Sequence, residues 1–163
     1  MKKSKTQTPW AYLDEFRNKD FFGEWPTFPQ MLDIQVKRNG DRPFFTDFDG
    51  PNESKQTMTF KEVLENVQTL AKWLTANGLK KGDRVAVMGK NSPEWATVYL
   101  GVLYASGIIV PIDNGLHEPD VVNIMNTSSP KFVFCDDDKK PFYGKNFKDI
   151  KILSLNRSAG DLV

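Results

Sequence analysis

The sequence predicts an α/β fold: a mainly parallel βαβαβ sheet layer with flanking helices, plus a small antiparallel side sheet near the N-terminus. Three observations carry that reading. Short β-branched or apolar runs stand at Arg84 to Met88, Ile108 to Ile112 and Lys131 to Cys135, with another at Lys151 to Leu155. Segments of helical period separate the first three, and strands that alternate with helices build parallel sheets with right-handed crossovers. Two loosely alternating stretches, Pro43 to Asp49 and Gln56 to Thr59, flank the turn signal Gly50-Pro51-Asn52 and read as an antiparallel pair.

The elements follow in order. From Trp10 to Phe28 the aromatics Trp10, Tyr12, Phe16, Phe21, Phe22, Trp25 and Phe28 alternate with charges and keep no helical period. This arm, residues 1 to 26, is expected to lay its rings on the domain's own surface, because singly placed aromatics anchor well. A membrane or partner segment, or an arm exchanged between subunits, would bury the same rings. Thr27 as N-cap with Gln30 three residues on starts a first helix, whose apolar face carries Phe28, Met31, Leu32 and Val36 and which Gly40 ends. Thr59 and Glu62 form a second capping box, followed by Val63, Leu64, Val67, Leu70, Ala71 and Leu74 at helical spacing up to Gly78.

Arg84 to Met88 is a short buried strand. Ser92, Pro93 and Glu94 then open a helix that is apolar nearly all round to Ser106, hence enclosed. Gly107 is placed at the left-handed position that closes it, and Ile108 to Ile112 reads as an interior strand of the sheet. A further helix runs from about Glu118 to Thr127 with Pro119 in its first turn. Asp136 to Asp149 reads as a polar connection to the last strand, and the polar end from Asn156 to Val163 as a cut rather than a finished domain.

At 163 residues the chain is long enough to bury roughly 68–70% of its unfolded surface. Twenty-two Lys and Arg against 21 Asp and Glu leave a net charge of +1, which argues against nucleic acid as a partner. A single cysteine, Cys135, allows no internal disulfide, and a single histidine, His117, allows no Cys/His zinc cluster. No run reaches the roughly 18 apolar residues of a membrane-spanning helix, and Met1 to Lys5 is followed by no apolar signal core. A cytoplasmic protein without a transmembrane segment is expected.

Candidate chemistry is sparse. Gly89-Lys90-Asn91-Ser92 joins a strand to a helix as a phosphate loop does, yet Arg84 stands where that motif needs its first Gly, and Asn91 where it needs Ser or Thr. Capping by Ser92 is the plainer role. Asp136, Asp137 and Asp138 could suggest a divalent metal, but adjacent carboxylates do not converge from one extended stretch, and Lys139 and Lys140 follow. Asp113 lies just past a strand end, where open α/β sheets bind ligands, but a turn cap is the commoner role for such an Asp and the one expected here. His117 has no triad partner nearby, and Cys135 ends an apolar strand with no cation to lower its pKa. No catalytic, cofactor-binding or metal residue is assigned.

Several segments together resemble the N-terminal part of the AMP-forming acyl-CoA synthetases, within the adenylate-forming superfamily. Met58-Thr59-Phe60-Lys61-Glu62-Val63 is similar to that family's first core motif, Gly82 to Ala86 to its strand entry, Asn91 to Trp95 to its "NSPEW" helix start, and Leu103 to Asp113 to its second core motif. The resemblance covers about residues 27 to 135 and implies that residues 27–163 are a partial N-terminal α/β domain. Intact relatives use ATP, magnesium and coenzyme A to make an acyl-adenylate and then an acyl-CoA. Their Gly-rich nucleotide loop and later acidic, Arg and Lys motifs are not in these 163 residues. The resemblance therefore implies an inactive scaffold piece of a carboxylate or fatty acid–CoA ligase, with the rest of that ligase as its partner.

Two other readings stay open. One is a non-enzymatic module that self-associates as a homodimer through the arm or an exposed sheet edge. The other is a small nucleotide binder using the strand ends near Gly89 and Asp113.

Overall fold

The computed structural model describes residues 8–50 and 54–156. Pro51 and Asn52 of the turn signal lie outside the described residues, as does the tail beyond Asn156. Strand β1 (Pro43–Gly50) pairs antiparallel with β2 (Ser54–Thr59), forming the side sheet. Strands β3 (Arg84–Met88), β4 (Ile108–Ile112), β5 (Phe132–Cys135) and β6 (Lys151–Ser154) form a parallel sheet in the order β4-β3-β5-β6. The helices are α1 (Phe28–Asn39), α2 (Phe60–Ala76), α3 (Pro93–Tyr104), α4 (Glu118–Ser128) and α5 (Lys140–Asn146). The α/β class, the parallel layer and the side sheet are as the sequence predicts.

The period of two along a strand sorts its side chains between two cores. Val85 and Val87 of β3 join Phe132, Phe134, Leu153 and Leu155 on one face, against Leu70 and Leu74 of α2 and Val98 and Val102 of α3. Ala86 and Met88 join Val133 and Cys135 on the other, against Val121 and Met125 of α4 and Tyr143 of α5. All four residues Val85–Met88 are buried. Fully burying a valine of this kind contributes about 1.5–3 kcal/mol relative to leaving it in water.

The capping boxes form as read. Thr59 N–H donates to Glu62 Oε2 at 2.7 Å, and Glu62 N–H donates back to Thr59 Oγ1 at 3.2 Å. Thr27 N–H donates to Gln30 Oε1 at 2.9 Å. The left-handed position predicted for Gly107 is corrected to Ser106, which has φ 61°. Ser106 N–H donates to Leu103 O at 3.0 Å and Gly107 N–H to Val102 O at 2.9 Å, the paired bonds of a Schellman ending. Gly107 is needed for space: a Cβ there would stand 2.9 Å from Val102 Cγ1 and 3.3 Å from Leu79 Cδ2.

Strand β4 is also corrected. It pairs with β3 alone and lies at the sheet edge, with Ile108 47% exposed. The β-branched run signalled a strand but not its depth. Pro111 carried the missing signal, because a residue without N–H leaves its strand a donor short, which edges tolerate and centres do not. The stretch read as a polar connection holds α5, whose Tyr143 is fully buried. Three rings, Phe142, Tyr143 and Phe147, among charges gave no sustained period to read.

The arm packs on α1. Leu13 and Phe21 are buried against Ile34, which is fully buried on a face of α1 that the sequence reading did not mark as apolar. Tyr12 accepts from Gln35 Nε2 at 2.8 Å and lies 3.8 Å beneath the Arg38 guanidinium. Not every ring is anchored, since Trp10, Phe22 and Trp25 are exposed.

Gly101 lets α2 and α3 approach, for a Cβ there would meet Leu70 Cδ2 at 2.8 Å and Cγ at 3.1 Å. Gly101→Val is expected to cost about 1–3 kcal/mol by overpacking, read as a lower urea midpoint. Ser106→Gly relieves the left-handed strain and is expected to raise stability by about 0.5–1 kcal/mol. A midpoint unchanged in the first and lowered in the second would contradict this geometry.

Candidate functional site

Open α/β sheets bind ligands at the carboxyl ends of strands where successive connections leave on opposite faces. In this chain that point lies between β3 and β5, because β3 leads to α3 on one face while β5 leads to α5 on the other. The residues at the crevice are Gly89 and Lys90 after β3, and Asp136 after β5.

Asp136 occupies its amide. Lys90 N–H donates to Asp136 Oδ2 at 2.9 Å, so the chain's own carboxylate sits on the amide that a bound phosphate would need. Asp136 N–H donates to Met88 O at 3.3 Å and holds the loop beside β3. A Cβ on the buried Gly89 would stand 2.5 Å from Leu155 Cδ1 and 2.8 Å from Asp136 Oδ1. Gly89 thus serves close packing, and Ser92 caps α3 by accepting from Trp95 N–H at 3.1 Å. The reading of Asp136 as part of a plain polar connection is corrected, since its carboxylate is tied to the Lys90 amide.

The other carboxylates are also engaged. Asp137 accepts from Ser154 Oγ at 2.6 Å and Asn156 Nδ2 at 3.2 Å and lies 3.6 Å from Lys140 Nζ. The Ser154 bond above all, then the Asn156 bond, holds its carboxyl below the ordinary value of 3.8. Asp138 is exposed, and among the described residues no three His, Cys, Asp or Glu side chains converge as a metal set. Asp113 Oδ1 accepts from Gly115 N–H at 2.7 Å, a turn cap. His117 is exposed at the N-cap of α4 and makes no capping bond. The sequence candidates gather at one end of the sheet but form no reacting constellation.

Cys135 is fully buried, and desolvation pushes its thiol up to about 12. Tyr143 beside it is raised by burial as well, and its hydroxyl donates to Met88 Sδ at 3.1 Å. Two open depressions lie at the crevice and share its residues, Gly89 and Lys90 in one and Lys90 and Asp136 in the other. One, of ≈ 490 Å³, lies among Lys90, Trp95, Asp113 and Asn114. The other, of ≈ 510 Å³, lies among Lys90, Glu94, Asn114 and Asp136. Asn114, which borders both, buries its Oδ1 without a hydrogen-bond partner. Its position beside Asp113 was the one sequence signal for it.

Two outcomes follow from these environments. Asp137 has a depressed folded pKa, so its contribution is present above the unfolded value and is lost as pH falls through the folded one. Urea midpoints measured from pH 6 down to 2 are expected to fall less steeply for Asp137→Asn than for the parent below the ordinary 3.8. Equal slopes would contradict the assigned bonds. The Cys135 thiol is expected to resist a disulfide-exchange reagent at pH 8 until urea unfolds the chain; rapid labelling of the native protein would contradict its burial.

Comparison with known proteins agrees with the geometry. The family described as AMP-binding enzyme matches residues 32–159. A long-chain-fatty-acid–CoA ligase of Bacillus subtilis is 38% identical over 106 residues, covering 65% of this chain and 18% of that protein. Tyrocidine synthase 3 of Brevibacillus parabrevis is 34% identical over 103 residues, covering 63% of this chain and 2% of that protein. Among solved structures, a fatty acyl-adenylate ligase from L. pneumophila, in complex with acyl adenylate and pyrophosphate, superposes with TM-score 0.68 at 24% identity over 79% of this chain and 23% of that one. A long-chain-fatty-acid CoA ligase from Rhodopseudomonas palustris superposes with TM-score 0.73 at 20% identity, over 80% of this chain and 33% of that one, a likeness of fold. The chain thus spans about a fifth of the length of the long-chain ligase it matches. With a match that takes in all four parallel strands and the helices between them, the chain belongs to the AMP-binding enzyme family.

Proposed function

We propose that these residues are the N-terminal sheet layer of an ATP-dependent, AMP-forming carboxylate–CoA ligase with a fatty acid as acyl substrate. The whole protein would form an acyl-adenylate and pyrophosphate and then pass the acyl group to the thiol of coenzyme A. The 163 residues alone are inactive in this reading. Its single carrying observation is the occupied amide: Asp136 already accepts the Lys90 N–H that a nucleotide phosphate would need. Family membership and the similarity to the Bacillus subtilis long-chain ligase support the reaction class.

Adenylation needs positive groups around the transferring phosphoryl and a held magnesium ion. Asp136 and Asp137 do not fit that metal, because Lys90 N–H, Ser154 and Asn156 already hold their oxygens. The magnesium, ATP and coenzyme A contacts then belong to the remainder of the ligase, this layer's partner, and no catalytic, cofactor or metal residue is assigned within it. No helix among the described residues is long and apolar enough to cross a membrane, and the buried lone Cys135 suits a reducing, cytoplasmic setting. Self-association is a second reading, favoured by the edge position of β4 with its exposed Ile108.

The test compares the 163-residue chain with the same reading frame extended beyond codon 163. The extended protein is expected to release pyrophosphate from ATP when given a fatty acid, and the short chain to show only background. Activity in the short chain, or a frame that closes without a Gly-rich loop, would contradict the proposal.

A further inference from the structure

The arm lies ahead of the segment that the family model matches, which begins at residue 32 within α1. Its loop is built around one residue turned inward and the next turned outward. Asn18 and Gly23 adopt φ 64° and 98°, and Asn18 N–H donates to Phe21 O at 2.9 Å, closing the turn. Phe21 is fully buried, with the Arg17 guanidinium 5.2 Å from its ring centre. Arg17 also donates to the Gly23 carbonyl, and to the Glu24 carbonyl at 2.8 Å. Fastened this way, the loop leaves Phe22 77% exposed and Trp25 53% exposed. Trp10, 51% exposed, meets Trp25 edge to face with ring centres 6.1 Å apart. Three large rings are held in water by a loop whose other contacts are satisfied.

We propose that Trp10, Phe22 and Trp25 form a docking surface for an anionic lipid bilayer. Two observations choose that occupant. Tryptophan and phenylalanine are side chains that settle at the boundary between headgroups and acyl chains. The first seven residues carry Lys2, Lys3 and Lys5 and no acid, a cationic segment directly ahead of Trp10. Within the arm, Asp14 faces Arg17 at 3.4 Å and Asp20 pairs with Lys37, which offsets two of its four acids, the others being Glu15 and Glu24. Aromatic insertion and basic attraction are the two weak signals that together hold a peripheral protein on a membrane. This surface stands on the arm alone and does not rest on the ligase reading.

The test is sedimentation of the full chain with vesicles of phosphatidylcholine and phosphatidylglycerol, followed in parallel by tryptophan emission. The parent is expected to co-sediment, with a blue-shifted emission, and to be released by salt. Phe22→Ser with Trp25→Ser is expected to lower partitioning at least about tenfold. Lys2, Lys3 and Lys5 changed to Gln are expected to lower it about tenfold on anionic vesicles and to abolish the salt dependence. Phe48→Ser, which removes a 71% exposed ring from the side sheet, is expected to change nothing. Absence of binding by the parent would overturn the proposal. So would an equal loss with Phe48→Ser, or concentration-dependent dimers abolished by the loop substitutions without any binding to vesicles.

Discussion

The rest of the structure depends on β3 being buried on both faces. Its five residues pair in parallel with β4 on one side and four of them with β5 on the other, while Val85 and Val87 enter one core and Ala86 and Met88 the other. Such a strand requires cover from both directions, and α2 with α3 on one face and α4 with α5 on the other supply it. The close approach of α2 to α3 at Gly101 and the tight ending at Ser106 and Gly107 follow from that demand.

The same arrangement explains why the layer carries so little chemistry. A strand order with β3 between β4 and β5 creates the crevice in which many α/β sheets hold a ligand. Here Asp136 supplies the negative charge itself, accepting the Lys90 amide, and Leu155 fills the space above Gly89. The next carboxylate, Asp137, ties Ser154 of β6 and Asn156 after it to the turn that leads into α5. Residues that look functional as a string of acids are structural once their partners are seen. The similarity to AMP-binding enzymes runs through the strands and helices of this layer.

Much of the frame was legible because period and capping are local. Thr59 with Glu62, Thr27 with Gln30 and the run Val63 to Leu74 state their helix boundaries within a few residues. What escaped was set by distant partners. Ile34 is buried only because Phe21 and Leu13 lie over it, and Tyr143 only because the sheet's second face needs a cover. The strand at Ile108 to Ile112 was readable, but its place at the edge depended on weighing Pro111 above the β-branched run. At the candidate site Gly89, Asp113 and Asp136 were all visible as residues. The bond from Lys90 to Asp136 spans 46 positions and has no local signature.

The most direct measurement is a titration of the ¹⁵N-labelled chain with magnesium and ATP, followed at the amides of Gly89, Lys90 and Asn91. A Lys90 amide already held by Asp136 predicts no saturable shift at these three positions. Saturable shifts centred on them would show that the carboxylate yields to a nucleotide phosphate, and would contradict a layer that serves as scaffold alone.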